Sequence, residues 1–276
     1  MEPVRTVDLF LPLQQELVAL LRGLRPEDWS KPTVAGAWQV KDVVAHLLDG
    51  DLRRLSMHRD GHIPSTGNFV PRDYEDLVQF INSLNASWVE QAKRLSPGLL
   101  IDLLEWAGPQ LADFFASLPP DGDARIPVAW AGEDRSTNWM DVGREYTEKW
   151  HHQAQIRDAV GVPGLMDRRW LYPVFELSMF ALPAAFRSLD APAGSIFNVT
   201  IDGEAGGQWS LVRENSRWLL SAGKKENASA SARMDSDTAW RLFFNALNRE
   251  DAEKRIEVSG DPEMCSVLLN TRSVMV

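Results

Sequence analysis

Apolar residues recur at three- and four-residue intervals from Thr6 to Leu24, at Val7, Phe10, Leu13, Leu17, Leu20, Leu21 and Leu24, and this spacing predicts a first helix. Two prolines and a glycine break the period between Arg25 and Trp38, predicting a loop that carries the indoles Trp29 and Trp38. The period resumes from Gln39 to Arg59 as a second helix, in which His46 shares a face with Val43, Gly50 and Met57. A turn-rich loop over Gly61–Pro71 holds His62, with His58 just before it, both read as surface residues. Third and fourth helices follow at Arg72–Leu95 and Pro97–Leu118, the latter with Ser96 as cap and Pro97 in its first turn. Ile126–Asp134 reads as a short extended segment and turn. A long helix from Asn138 to Val160 stops at Gly161-Val-Pro-Gly164, and Leu165–Arg187 reads as a helix kinked or divided by Pro173 and Pro183.

Near Asp190 the period changes from helical to alternating. Ile196–Ile201, Gln208–Arg213 and Arg217–Ser221 predict a strand meander; Asp235–Leu247 predicts a helix, Arg255–Ser259 a strand, and Asp261–Leu269 a last helix. The fold class is therefore α plus α+β: a helical domain over residues 1–190, then a small α+β domain over 191–276.

Composition narrows the function. The 276 residues include 44% hydrophobic positions, 11 Trp and 11 Phe, enough for packed cores. A formal charge of −10, from 39 acidic and 29 basic residues, repels a phosphate backbone and argues against nucleic acid and anionic membrane surfaces as partners. The single cysteine, Cys265, lies in an apolar helical pattern and reads as a packing residue in a reducing compartment. With neither a signal peptide nor a membrane span in the N-terminal pattern, the expected location is the cytoplasm.

The long helix holds the chemistry. Glu148 and His152 are four residues apart, which puts both on one face, one turn apart, as two ligands of one metal ion would need. His151 points roughly 100° away. A third ligand must come from elsewhere, and His46 is the best candidate, with Asp42 or Asp49 placed to accept its far N–H. Two imidazoles and a carboxylate would leave an open coordination position, as in catalytic zinc sites, and also suit non-haem iron. The pattern equally fits an amphipathic helix whose stripe of Asp141, Glu145, Glu148, His152 and Gln155 faces water.

Trp38-Gln-Val-Lys-Asp-Val-Val-Ala-His46, followed by Glu148-Lys-Trp-His-His-Gln-Ala-Gln-Ile-Arg157, resembles the mycothiol-dependent maleylpyruvate isomerase family of the DinB-like superfamily. Val258-Ser-Gly-Asp-Pro262 and Leu268-Leu-Asn-Thr-Arg-Ser-Val274 resemble its sterol-carrier-like partner domain. The resemblance implies an up-and-down four-helix bundle with a divalent metal, zinc above all, bound by His46, Glu148 and His152. It also implies mycothiol or a similar thiol as cosubstrate, and an isomerase or S-transferase acting on a small electrophile such as an unsaturated dicarboxylic acid, as a monomer or homodimer. Gln155 stands where many relatives carry an aspartate. Arg144 and Arg157 match no catalytic arginine of the family, so no substrate residue is assigned. A metal-dependent hydrolase and a non-catalytic small-molecule-binding module are the alternatives.

Overall fold

A computed structural model describes residues 1–63 and 69–275, so part of the predicted 61–71 loop lies outside the described residues. The backbone forms two compact units. One comprises residues 6–125 and 148–164; the other comprises residues 1–5, 126–147 and 165–276. One of the boundaries between them, at 147/148, falls inside the helix that spans Asn138–Val160.

The first unit is helical. Its elements are α1 (Val7–Arg22), α2 (Val40–Arg53), α3 (Tyr74–Ala92), α4 (Pro97–Ser117) and the second half of α5 (Asn138–Val160). Their apolar stripes meet in one core that includes Leu17 and Leu21 of α1, Val40, Val43, Val44 and Leu47 of α2, Leu100 and Leu104 of α4, and Ile156 of α5. The helix α3 lies against α2, where the Trp88 indole donates to the Ala45 carbonyl at 2.8 Å. Close packing of α1 on α4 depends on Gly108, since a Cβ there would collide with the Gln14 side chain. Gln14 is itself buried and donates to the Leu104 carbonyl at 2.9 Å. The second predicted helix runs as far as expected, but its last turn, Arg54–Arg59, is π-helical.

The second unit contains the first half of α5, α6 (Arg168–Met179), α7 (Ala181–Ala185), and a five-stranded sheet with β1 (Ile196–Asp202), β2 (Gly207–Glu214), β3 (Arg217–Ala222), β4 (Ala230–Asp235) and β5 (Glu257–Gly260). Helices α8 (Ser236–Phe243), α9 (Arg249–Arg255) and α10 (Pro262–Leu269) complete it. The strand order is β3-β2-β1-β4-β5; β1 and β4 run parallel and the other neighbours antiparallel. Phe197 of β1 packs with Phe186 (ring centroids 5.2 Å apart), which also meets Trp218 edge-on. The fold class is thus α plus α+β, as the change of period near residue 190 predicts.

Four local expectations need correction. Ile126–Asp134 is not extended: Ala129–Ala131 form a 3₁₀ turn closed by Gly132 at φ 75°, and Val128 and Trp130 are buried. The helix expected to reach Leu247 stops at Phe243, because Asn245 turns to φ 54°. Strand β4 goes unpredicted because its inward positions, Ala230, Ala232 and Met234, are mostly small and lack β-branching; pairing on both edges makes it a strand. Helix α9 goes unpredicted because among its residues only Ala252 is buried, which leaves no apolar period to read. Its start is set instead by Asn248, whose side chain accepts from the Asp251 N–H.

Candidate metal centre

The core packing of the helical unit decides which polar residues meet. Apolar residues on either side of His46, from Val43 to Leu48, and Ile156 one turn beyond His152 share one core, so the two histidines are brought together. The ring centroids of His46 and His152 lie 4.7 Å apart at 75°. Glu148 completes the group: one donor atom from each of His46, Glu148 and His152 falls within 4.8 Å of the other two. Nε2 of His152 is 3.5 Å from Oε2 of Glu148, the i,i+4 approach that helical spacing predicts. Trp38 covers the pair of rings, 5.0 Å from His46 and 6.5 Å from His152.

The stripe on α5 does not face water. Asp141, His152 and Gln155 are all buried, which excludes the solvated-face reading. Toward the start of α5, Asp141 and Glu145 both pair with Arg144, at 2.7 and 2.8 Å. Arg157 donates to the Pro163 carbonyl at 3.0 Å and pairs with Glu16 at 3.3 Å. Both arginines therefore have structural partners.

Hydrogen bonds set the state of each donor. Nδ1 of His152 lies 2.8 Å from Oε1 of Gln155, which accepts from the Nδ1–H, and Nε2 points to Glu148. This is the structural role of Gln155, which the sequence left open. His46 differs from expectation. Asp42 accepts from the Gln39 backbone N–H at 3.0 Å, and Asp49 pairs with Arg53 at 2.9 Å, so neither orients the His46 ring. Nδ1 of His46 is buried and has no hydrogen-bond partner. Burial, then the neighbouring His152, push the His46 imidazole down to about 3, with Arg53 adding to the effect against the opposing pull of Glu148. Burial alone would raise the Glu148 carboxyl, but His151, His152 and His46 hold it at about 2. Near neutral pH the pocket therefore contains a neutral imidazole and a carboxylate, the protonation states a cation requires of its ligands.

The other candidates do not converge with this group. His151 is buried with its ring 4.0 Å from that of His152, but among the described residues the convergent donors are His46, Glu148 and His152. His62 is exposed and His58 contacts Arg54 at 2.7 Å. Cys265 is buried, and desolvation together with Asp261 pushes its thiol up. One buried feature had no sequence signal: Lys149, next to Glu148, reaches Asp51 of α2 at 2.5 Å, with side chains 7% and 2% exposed.

Comparison with known proteins adds the family. The family described as mycothiol maleylpyruvate isomerase N-terminal domain matches residues 10–157. The crystal structures of the mycothiol-dependent maleylpyruvate isomerase and of a histidine-to-alanine mutant of it each superpose with a TM-score of 0.55 at 10% identity, over 92% of this chain and 91% of that one. Sterol carrier protein 2 like 2 from Aedes aegypti aligns at 19% identity over 34% of this chain and 93% of its own, with a TM-score of 0.28. No curated protein matches significantly. No described helix is long and apolar enough to cross a membrane. Because the match spans more than half of the chain and contains every member of the His46–Glu148–His152 group, this isomerase-like enzyme belongs to the mycothiol maleylpyruvate isomerase family.

Proposed function

We propose that the chain is a metal-dependent isomerase that uses a small thiol of the mycothiol type, with an unsaturated dicarboxylic acid as the substrate class. The observation that carries this reading is the convergence of two imidazoles and one carboxylate within 4.8 Å, together with a buried imidazole nitrogen that no protein group satisfies. Such a donor set fits zinc with one coordination position left open. When bound, a divalent cation there would favour the thiolate form of an incoming thiol near neutral pH.

The chain's residues prepare that position. Glu148 contributes the negative charge, His46 remains neutral, and Gln155 holds the His152 ring with Nε2 toward Glu148. Trp38 packs beside both rings. Cys265 is buried with a raised thiol pKa, so the nucleophilic sulfur comes from a cosubstrate. In the isomerisation, sulfur bonds to one alkene carbon and the π pair moves to the carbon next to the carboxyl group. Rotation about the resulting single bond follows, and the pair then re-forms the double bond as sulfur leaves.

Elemental analysis of the purified protein beside His46→Ala, together with a maleate-to-fumarate assay with and without thiol, tests the proposal. About one equivalent of metal in the parent, a loss of most of it in the variant, and turnover only with thiol are expected. Isomerisation that proceeds equally well without thiol would remove the thiol from the mechanism. Retained metal without turnover would point to a binding module, and either result overturns the reading.

A further inference from the structure

We infer that Arg53 and the bare helix surface at Gly50 form the seat for a substrate carboxylate beside the His46–Glu148–His152 group. This inference deepens the isomerase reading and rests on it.

The placement follows from α2. At 100° per residue, Gly50 lies about 40° and Arg53 about 20° from the direction of His46, so all three occupy one face over two turns. Helical side chains lean toward the N-terminus, which carries the Arg53 guanidinium back over the preceding turn, where its Nε lies beside Asp49.

Gly50 has no evident structural reason to be glycine. It sits within α2, where glycine is a poor helix former, it does not have a positive φ, and a Cβ added there would meet nothing within 4 Å. The same test at Gly108 and Gly143 finds side chains in the way, so those glycines serve close packing, while Gly98 in the first turn of α4 is open like Gly50. Gly50 instead leaves open space one turn from a proposed ligand.

Arg53 is positioned to bind in that space. Asp49 lies 2.9 Å from its Nε, and Asn85 of α3 accepts from Nη2 at 3.3 Å. These contacts tether one edge of a side chain that remains 38% exposed, and the other guanidinium N–H groups have no acceptor among the described residues. A carboxylate is the ligand such a planar fork fits best, through two parallel N–H···O bonds. The π-helical turn Arg54–Arg59 begins at the next residue, an irregularity common at functional sites.

The test uses the full-length, zinc-loaded protein, with maleate as the charged probe and dimethyl maleate as the uncharged one. Calorimetric binding of maleate, thiol-dependent turnover of both compounds, metal content and Tm are measured for the parent, Arg53→Gln, Arg53→Lys and Gly50→Leu. Arg53→Gln is expected to weaken maleate roughly ten- to a hundredfold, the usual effect of losing a charge-assisted pair, with diester turnover within about twofold of the parent. Arg53→Lys preserves the charge beside Asp49 but not the fork, and is expected to weaken maleate by roughly fivefold or more. Gly50→Leu is expected to retain metal and Tm while weakening both probes about tenfold or more. Arginine variants that bind maleate within about twofold of the parent, or lose both probes equally, overturn the seat, as does a Gly50→Leu variant that binds like the parent. A parent without metal or thiol-dependent turnover brings down the isomerase reading and this inference together; an active parent with unaffected variants removes only the inference.

Discussion

Gln155 offers a direct test of how the metal centre is built. Its side-chain oxygen accepts from Nδ1 of His152 at 2.8 Å, and both residues are buried, at 3% and 7% exposure, so water cannot readily replace it. Gln155→Leu keeps the approximate volume and deletes the acceptor. The stranded N–H then costs about 1–3 kcal/mol in the metal-free protein. The ring can escape by moving its proton to Nε2, but that nitrogen lies 3.5 Å from Glu148 and is the one the site needs unprotonated. Either way the ligand is impaired, and metal affinity should fall by roughly 10–100-fold, as it does when an outer partner of a metal histidine is lost. Gln155→Glu keeps an acceptor and adds negative charge, so it should tighten binding. Competition with a chromophoric zinc chelator measures both variants, and urea denaturation of the metal-free proteins separates stability from affinity. A leucine variant with zinc affinity within twofold of the parent would refute the role assigned to this amide.

Three further outcomes follow from the structure. Asp51→Ala should destabilise the helical unit by about 3–5 kcal/mol in denaturant titration, because it strands the buried ammonium of Lys149, whereas Asp51→Leu combined with Lys149→Met should recover most of that loss. Acidification should weaken the metal-free protein. His46 titrates near 3 when folded and 6.5 when unfolded, so its contribution is complete above about pH 6.5 and is lost as pH falls toward 3. The full effect is about 5 kcal/mol, of which about 2 kcal/mol falls between pH 7 and 5, and urea midpoints measured over that window should show a shallower pH dependence for His46→Gln. In the sheet, Gly260 has φ 88° and an added Cβ would strike the Ser229 carbonyl and come within 2.7 Å of the Ala230 Cα. Gly260→Ala should therefore lower Tm far more than Gly223→Ala, which has a similar φ of 85° but nothing within 4 Å; equal losses would show that β4–β5 tolerates the backbone shift.

Much of this protein was legible one segment at a time. Periods of three to four located the long helices, Ser96 marked the start of α4, and Pro183 lies inside α7, one turn past the end of α6. These features depend on neighbours within a few residues, and the sequence lists those neighbours directly. Glu148 and His152 could be placed on one face for the same reason. Periodicity alone could not decide whether that face met water or protein, and the family resemblance, rather than spacing, favoured the interior.

Elements whose conformation comes from distant partners were harder to read. Strand β4 carries small residues and owes its strand geometry to β1 and β5, while residues 126–147 belong to the same compact unit as a sheet that begins some fifty residues later. The same limit applies to the site. His46 could be named as a candidate, but its distance from His152, the burial of the α5 stripe, the Lys149–Asp51 pair and the diversion of Asp49 to Arg53 all depend on how α2 and α5 pack. Local sequence determined which side chains each helix presents and at what spacing. Tertiary structure alone decided which faces met, because that choice is made by the simultaneous burial of apolar residues from helices far apart in the chain.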